Sequence, residues 1–543
     1  MPPDHRRGWR HWLVILLAGG IQALCFAPGP LPEWSLPFVQ IGSLAVLAAC
    51  TWGAERVRAA ALDGWLFGLA QFTVGVYWLT ISMHTFGGLA LPLAVAALLL
   101  FAAAIALYSA AACALSAWLC AAWRSPHQYA RRQILNALVW ASSWTLFEWL
   151  RGTLFTGFTW LDAGYAHAEG MFAAWAPVVG VYGLSWLAAF SAAAVALMAR
   201  AKDSAPYDRS AAAVVALALV CGLAGIAGQH IQWSSPLGSP LMVRLVQPAT
   251  PQSEKFDPRQ FEAAITRTLR LADLPAKDKA DHPALIVFPE TVMPIFQDEI
   301  PPEIWSRWQA VAQHQQATLL MGIPLHSRSS VGDRYTNGAI ALPPGNASFP
   351  GTPAPWHYDK HHLVPFGEFI PPGFRWFVHA MQIPLGDFNR GSLVQPPLRL
   401  AGQALAVDIC YEDTFGEQIA AHVAPGPDGT AGASILVNIS NLAWFGDSWA
   451  LRQHLWMARM RALETARPLV AATNTGMTAA LDPYGQVRGM LDAGTPGVLD
   501  VEVLGTQGLT PYVRWRNAPI LIWLALWLAI GIGWRTSHRP QGR

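Results

Sequence analysis

Cys410 is the residue whose type and position point most directly to covalent chemistry. It ends the apolar run LAVDIC (405–410) and is followed by Tyr411-Glu412-Asp413, where a helix is expected to begin. A nucleophile at a strand-to-helix turn is exposed at the edge of a sheet, and a helix N-terminus helps to lower the pKa of a thiol. A reactive cysteine and a buried structural one both fit this position.

Two charged residues elsewhere in the chain also follow apolar or aromatic runs. Glu290 ends IVFPE (286–290), and Lys360 lies within YDKHHLVPFGE (358–368). Taken singly, Glu290 could cap the next helix, and Lys360 could be an ordinary solvated loop residue. The neighbouring His361 and His362 suggest a metal, but adjacent side chains rarely share one ion and the sequence offers no third ligand. We therefore expect no metal and no cofactor.

Together these residues resemble a known pattern. A Glu after FP, a Lys in YDKHHLVPFGE and a Cys in DICYE, in this chain order, look like the Glu-Lys-Cys triad of the nitrilase (carbon–nitrogen hydrolase) superfamily. Longer segments resemble the membrane member of that superfamily, the apolipoprotein N-acyltransferase family; they are NISNLAWFGDS (438–448), QHLWMARMRALE (453–464) and TGFTWL (156–161). The resemblance covers essentially the whole chain.

The resemblance implies an acyltransferase with a ping-pong mechanism. The family moves a fatty acyl chain from a glycerophospholipid to the N-terminal amine of a diacylglyceryl-cysteine apolipoprotein, through a thioester that would form here on Cys410. Glu290 would act as general base and acid, and Lys360 would stabilise the oxyanion of each tetrahedral intermediate. The main-chain N–H of Tyr411 is expected to assist Lys360.

Further residues are expected to support this chemistry. Glu368 and Glu412 fit the family's orienting carboxylates, although both could be ordinary hydrogen-bonded loop acids. An apolar mouth would keep water from the thioester, and the aromatic-rich segment 366–383 and Trp444-Phe445 are candidates for it. The expected substrate-binding residues are Trp444, Phe256, Phe366 and Trp160. The chain departs from the family pattern at Phe256, where Trp is common, at Leu442, where Asp is common, and at Ala472 and Thr475.

Composition excludes several classes of protein before any motif is considered. The chain has 543 residues, of which 53% are hydrophobic and only 13% charged, against about 25% charged in an average soluble protein. A net charge of +2 offers no electrostatic surface for a polyanion, so we expect no nucleic-acid partner. These values indicate a membrane protein that also carries a folded domain outside the bilayer.

Apolar runs long enough to span or nearly span a membrane predict eight transmembrane helices. They lie near 11–28, 36–53, 62–82, 88–122, 133–150, 171–199, 210–229 and 517–534. With the N-terminus inside, the cytoplasmic segments carry fourteen Lys and Arg residues and the opposite loops carry one, Arg151. This asymmetry predicts that both termini are cytoplasmic and that residues 230–516 face outward. We expect a bacterial inner-membrane protein that acts as a monomer, with its catalytic domain on the periplasmic side.

The fold prediction is a polytopic helical membrane protein with an extracytoplasmic α/β, nitrilase-like αββα sandwich. We assign 1–232 to transmembrane helices 1–7, 233–515 to the catalytic domain and 516–543 to the eighth helix and tail. Strands are predicted at 241–247, 284–289, 317–323, 404–410, 433–439, 468–474 and 497–504, with helical spacing between several of them. Five cysteines lie in predicted spans, so Cys410 has no disulfide partner in the outer domain.

Two other functions compete with this one. A membrane-tethered amidase or nitrilase that hydrolyses a small carbon–nitrogen substrate could use the same triad, although one anchor would suffice for it. A transporter or receptor would require paired ionisable residues within the spans, and only Asp63 and Glu148, both near span ends, are candidates.

Overall fold

The structure is a computed structural model of the chain, in which two compact units can be distinguished. The first unit comprises Met1–Tyr77, Pro92–Ile231 and Trp515–Arg543, and the second comprises Trp78–Leu91 and Gln232–Arg514. The residues that the structure describes are 8–26, 31–120, 129–201, 209–276, 282–329, 332–345, 356–371, 373, 387–426 and 429–537.

The first unit is built from helices. The longer ones are Trp9–Leu24, Leu36–Gly53, Val57–Gly75, Leu91–Leu119, Tyr129–Arg151, Ala176–Ala201, Arg209–Gly228 and Ala518–Ser537. Among the described residues, five helical segments are long and apolar enough to cross a membrane: Glu33–Gly53, Leu91–Leu119, Ala173–Ala199, Ala211–Gly228 and Ala518–Ser537. These helices make the chain a membrane protein, since a helix of about 20 apolar residues spans the hydrocarbon core.

The predicted span at 62–82 is interrupted in the structure. The helix Val57–Gly75 ends at Val76, whose φ of −125° and ψ of 30° are not helical. The chain continues as Leu79–Ile81 and a π-helical turn, Ser82–Phe86. Val57–Gly75 and Leu79–Phe86 are long and apolar enough to cross a membrane only together, as one span bent by 60° at the break. The second part belongs to the second unit, where the Trp78 indole donates to the Gln453 side chain at 3.0 Å.

In the part of the second unit that the structure describes there are fourteen strands. They are β1 Ser235–Pro236, β2 Leu241–Gln247, β3 Leu285–Val287, β4 Thr318–Ser329, β5 Gly332–Leu342, β6 His357–Asp359, β7 Leu398–Leu400, β8 Gln403–Ile409, β9 Ile435–Ser440, β10 Leu469–Thr473, β11 Ala479–Leu481, β12 Val487–Met490, β13 Gly497–Val503 and β14 Thr506–Gln507. Two six-stranded sheets have the orders β13-β2-β3-β4-β5-β6 and β12-β11-β10-β9-β8-β7, and β1 pairs with β14. Each large sheet has a parallel centre, β2-β3-β4 in one and β8-β9-β10 in the other.

The two large sheets face each other across an apolar core. Residues that alternate along β2, such as Leu241, Val243 and Leu245, lie in one buried cluster with Leu405 and Val407 of β8. The outer face of the first sheet packs against the helices Phe261–Ala272 and Pro302–Gln315, and that of the second against Gly416–Val423 and Trp449–Thr465. The layers are therefore αββα, as the resemblance to the carbon–nitrogen hydrolases implied.

All seven predicted strands are present, and several others were missed. β4 extends to Ser329, beyond the predicted end at 323, because it pairs over its whole length with β5. β5 carries polar residues in its first half, and the apolar alternation that identifies a strand is absent there. The remaining missed strands have two to four residues each, too short to show a period.

The sheet centres determine where the chemistry-bearing residues lie. Glu290 follows β3, Cys410 follows β8 and Asn441 follows β9, so each stands just beyond the carboxyl end of a parallel strand. Lys360 follows the edge strand β6, and its main-chain N–H donates to the Asn337 carbonyl of β5 at 2.8 Å.

The turn at Glu290 lies directly against β4 and leaves no room for a side chain at Gly322. A Cβ on Gly322 would lie 2.6 Å from Glu290 Cα and 2.7 Å from the Thr291 nitrogen. Both atoms belong to the main chain, which cannot rotate aside as a flexible side chain can. Gly322 therefore allows the close approach of β4 to the turn that carries Glu290.

We predict that Gly322→Ala destabilises the second unit by about 1–3 kcal/mol, the usual cost of overpacking. Gly497→Ala in β13 is the matched control, because its Cβ would meet Leu491 at an ordinary distance of 3.6 Å. Thermal unfolding of the detergent-solubilised protein measures both variants. Equal midpoints for the two variants would show that the close approach at Gly322 is not a constraint.

Candidate active site

The centre of the site is a buried ammonium between two carboxylates. Lys360 Nζ lies 2.9 Å from Glu368 Oε1 and 3.3 Å from Glu290 Oε1. Lys360 is fully buried, and Glu290 and Glu368 are 7% and 5% exposed. A buried ammonium is costly unless it is paired, so the two acids are what permit a charged lysine at this position.

Electrostatics keep the lysine and its carboxylate partner ionised. Burial alone would lower the pKa of Lys360, but the carboxylates of Glu290 and Glu368 outweigh it and raise the pKa above its ordinary value. Burial alone would raise the pKa of Glu290, but Lys360 and two hydrogen bonds outweigh it and lower the pKa. Glu290 is therefore a carboxylate at neutral pH and can accept a proton.

Two asparagines orient the carboxylates. The Asn337 side-chain amide of β5 donates to Glu290 Oε1 at 2.7 Å and to Glu368 Oε1 at 2.6 Å. The main-chain N–H of Asn441 donates to Glu290 Oε2 at 2.9 Å. Glu368 Oε2 in turn accepts the main-chain N–H of Val364 at 2.7 Å, which closes the loop that follows Lys360. Both oxygens of each carboxylate therefore have fixed donors.

Cys410 stands on a strained turn. Its φ of 56° lies in the left-handed region, which costs a non-glycine residue about 1–3 kcal/mol. The turn begins at the end of β8 and continues as a 3₁₀ helix, Cys410–Thr414. The Cys410 carbonyl accepts from Asn438 Nδ2 at 3.3 Å and lies 3.2 Å from His454 Nε2. These contacts from β9 and the helix Trp449–Thr465 hold the carbonyl of the strained residue.

The thiol of Cys410 is neutral in the resting site. The residue is partly exposed, yet burial of the thiol among protein atoms, followed by the charge of Glu290, raises the pKa of Cys410 well above its ordinary value, and Lys360 only partly opposes this. The sequence-based expectation of a lowered pKa at the helix N-terminus is therefore wrong. A neutral thiol needs a base at the moment of attack, and Glu290 is an ionised one.

Glu412 connects the turn Cys410–Thr414 (the cysteine turn) to the segment 360–368 (the lysine loop). Its Oε2 accepts the Ile409 N–H at 2.7 Å and the Tyr358 hydroxyl at 3.0 Å. Its Oε1 accepts the main-chain N–H groups of His361 at 2.7 Å and His362 at 2.9 Å. The same carboxylate thus binds the residue before Cys410 and the two residues after Lys360.

The expected substrate-binding residues lie in different places. The Trp444 ring is 6.2 Å from Phe256 and 5.9 Å from Phe86, so these aromatic residues are neighbours within the second unit. Phe366 lies two residues before Glu368 on the lysine loop, with a φ of 65°. Trp160 belongs to the first unit, where it is buried and its carbonyl accepts from Arg151. Their roles in substrate binding stay predictions.

Other predicted features can be placed in part. The Tyr411 ring packs 5.1 Å from Phe415. The His361 ring bonds to the Gly391 carbonyl at 2.8 Å, and the His362 ring stacks on Phe415 at 3.6 Å. No cluster of three potential ligands that could hold a metal occurs among the described residues. Of the expected aromatic segment 366–383, residues 372 and 374–383 lie outside the described residues.

Sequence reasoning missed several residues that complete the site. Asn337 gave no signal because its strand was not recognised. Asn438, Asn441 and His454 lie inside the quoted segments NISNLAWFGDS and QHLWMARMRALE, so their neighbourhood was identified but their bonds were not. Lys255 precedes the expected Phe256, and nothing in the sequence distinguishes it from a solvated lysine.

Two family models match the chain, one in its helical N-terminal part and one in the α/β domain. The model for the apolipoprotein N-acyltransferase N-terminal domain matches residues 18–194, and the carbon-nitrogen hydrolase model matches residues 242–508. The second match confirms the nitrilase-like character predicted for the α/β domain.

Similar proteins match over nearly their whole length. An apolipoprotein N-acyltransferase of Bordetella bronchiseptica is 48% identical, with 97% of both chains covered. One of Ralstonia nicotianae is 44% identical over 94% of this chain and 90% of that protein. Among solved structures, an amidase of Nesterenkonia sp. AN1 is 19% identical with a TM-score of 0.34, and the match covers 53% of this chain and 97% of that one.

We predict that Glu412→Gln destabilises the second unit more than Tyr358→Phe does. In either orientation the NH₂ group of the glutamine leaves at least one buried main-chain N–H without an acceptor: those of His361 and His362 on one side, or that of Ile409 on the other, where the Tyr358 hydroxyl can turn to accept. Each unsatisfied group costs about 1–3 kcal/mol. Tyr358→Phe removes one donor and leaves three in place. Thermal unfolding midpoints in detergent compare the two variants, and a lower midpoint for Tyr358→Phe would contradict the connecting role of Glu412.

Proposed function

The chain belongs to the apolipoprotein N-acyltransferase family, and from this premise we propose that Cys410, Glu290 and Lys360 perform the acyl transfer through a thioester. The enzyme N-acylates lipoproteins with an acyl group from a lipid. The observation that carries the assignment of residues is the Glu290 carboxylate 3.3 Å from the buried Lys360 ammonium, both near enough to Cys410 to act on the pKa of its thiol.

The first half-reaction acylates the enzyme. Glu290 takes the proton from Cys410 Sγ as the sulfur attacks the ester carbonyl of a glycerophospholipid. Lys360 and the main-chain N–H of Tyr411 stabilise the oxyanion of the tetrahedral intermediate. The carbon–oxygen bond then breaks, Glu290 returns the proton to the departing lysophospholipid oxygen, and the acyl group remains on sulfur as a thioester.

The second half-reaction transfers the acyl group to an amine. The N-terminal amine of a diacylglyceryl-cysteine lipoprotein attacks the thioester, and Glu290 takes a proton from the nitrogen. The carbon–sulfur bond breaks, and Glu290 returns the proton to Cys410. Ester, thioester and amide follow one another without a nucleotide, and one site serves two bulky substrates in turn.

The fixed carboxylates and the aromatic residues have separate tasks in this scheme. Glu368 is a second carboxylate partner of Lys360, so the ammonium stays in place when Glu290 becomes neutral. Glu412 holds the cysteine turn and the lysine loop together. Trp444 and Phe256 would line the apolar path that excludes water from the thioester, with Phe366 and Trp160 as further substrate contacts.

A position in the membrane fits a reaction in which both the acyl donor and the acyl acceptor carry lipid chains. We place the protein in the bacterial inner membrane as a monomer, with eight spans, both termini in the cytoplasm and the α/β domain on the periplasmic face. The five apolar helices, the broken pair after Gly75 and the Lys/Arg asymmetry support this topology. A hydrolytic amidase is less supported, because the relatives matched over nearly their full length are named N-acyltransferases.

We predict that the purified protein gains the mass of one acyl chain after incubation with phospholipid and that Cys410→Ala does not. Lys360→Met should slow formation of the adduct about 10²–10³-fold, the usual effect of removing one oxyanion donor. Glu290→Gln should block it, because the amide cannot accept the thiol proton. Intact-protein mass spectrometry follows the adduct over time.

Cys221→Ala is the matched control, since Cys221 is another partly exposed free cysteine, and it should acylate at the wild-type rate. Retention of the adduct or of lipoprotein N-acylation by Cys410→Ala would refute the assignment. Release of ammonia from simple amides, without acyl transfer to a lipoprotein amine, would favour the amidase.

A further inference from the structure

A second lysine lies buried against the turn that carries Glu290. Lys255 is 6% exposed, and its Nζ donates to the Glu290 carbonyl at 3.1 Å. Among the residues that the structure describes, it forms no ion pair with a carboxylate. One carbonyl is weak compensation for a buried ammonium. A methionine would fill the same space without that cost, so packing alone does not account for a lysine here.

The helix that carries Lys255 contacts Glu290 by a second route. Lys255 ends the short helix Gln252–Lys255, and the Gln252 side-chain oxygen accepts from the Asn441 side chain at 3.2 Å. Asn441 also donates its main-chain N–H to Glu290 Oε2 at 2.9 Å. The helix therefore binds the carbonyl of Glu290 directly and its carboxylate through Asn441.

The segment that leads into this helix is fixed by Asn474. The Asn474 side chain donates to the Thr250 carbonyl at 2.8 Å and accepts the Thr250 N–H at 3.0 Å. It also donates to the Asn441 side-chain oxygen at 3.0 Å. The segment that leads into the helix and the Asn441 turn thus share one buried side chain, which fixes the distance from Lys255 to Glu290.

The charges of Glu290, Glu368 and Lys360 do not balance, and a second cation would neutralise the excess. The carboxylates of Glu290 and Glu368 share the single ammonium of Lys360, so negative charge exceeds positive charge by one. Transfer of the thiol proton to Glu290 does not remove the excess, because a thiolate and then an oxyanion appear in its place. Lys255 interacts electrostatically with both Glu290 and Cys410.

We propose that Lys255 is a positioning residue of the acyl transfer, which holds the main chain of Glu290 in place and supplies the second positive charge that keeps Glu290 ionised. This inference rests on the proposed function of Glu290 and Cys410. Lys255 does not touch the reacting atoms in this role. It acts through Glu290, whereas Lys360 acts on the oxyanion itself.

The ionisation of Lys255 defines the pH range in which its charge acts. The groups that face it are Glu290 on the turn after β3 and Cys410 on the turn after β8. Burial lowers the pKa of Lys255 to about 7, although both of these groups oppose the shift. The ammonium is therefore present in acid and lost above neutrality. The positive charge lowers the pKa of Glu290, so it extends the range of the ionised base to lower pH.

The test is the pH dependence of thioester formation in the full-length protein, with Lys255→Met and Lys255→Arg beside the wild type. Lys255→Met should move the acid limb of the pH–rate profile to higher pH by about one unit. At pH values on that limb, thioester formation should be about tenfold slower than in the wild type. Lys255→Arg keeps the positive charge, so its acid limb should stay at the wild-type position.

Arg267→Met is the matched control, because Arg267 pairs with Glu254, beside Lys255, but is half exposed. It should leave rate and profile unchanged. An acid limb that stays at the wild-type pH in Lys255→Met would overturn the inference. A tenfold loss of rate in Lys255→Arg, with its acid limb at the wild-type pH, would also overturn it. Thermal midpoints identify a variant that has merely failed to fold. If the proposed function itself is wrong, the wild type forms no adduct at all, which is a different result.

Discussion

The arrangement of the site depends on a single buried ammonium. Lys360 is fully enclosed and lies within 3.3 Å of two carboxylates, and this pairing is what allows three charged groups in a region withdrawn from water. Removing the lysine would leave two carboxylates buried without their partner, which is far more costly than removing a whole pair. The constraint also sets the chemistry, because the ammonium that stabilises Glu290 as a carboxylate is the group that can stabilise an oxyanion.

The αββα fold meets this constraint by bringing together turns from both sheets. Glu290 and Lys360 come from strands of one sheet, and Cys410 comes from a strand of the other. Glu412 joins the two sides by binding the residue before the cysteine and the residues after the lysine. The strained φ of Cys410 is therefore supported by bonds on either side of it, and the geometry does not rely on one flexible loop.

The sequence predicted what is encoded in local pattern. Glu290 and Cys410 each end an apolar run, but it was their order in the chain with Lys360, and the resemblance which that order carries, that singled them out. The alternation of strands with helical patterns predicted an α/β domain, and the resemblance implied its αββα layers. The direction of the Cys410 pKa shift could not be predicted, because it arises from burial and from Glu290, which is 120 residues away in the chain. Asn337 and Lys255 were missed for a related reason. Nothing in their own segments shows that the fold withdraws them from water and turns them towards Glu290.

The pH dependence of thioester formation on Cys410 tests most directly whether an ionised Glu290 activates a neutral thiol. Rates are measured with a zwitterionic phospholipid in nonionic detergent. We predict that the rate of thioester formation rises with pH only below 4.5, the ordinary pKa of a glutamic acid, and is constant from about pH 5 to neutrality. A rate that instead keeps climbing with pH above neutrality would show that a free thiolate is the reacting species, because burial raises the pKa of the Cys410 thiol well above its ordinary value, and would contradict the account.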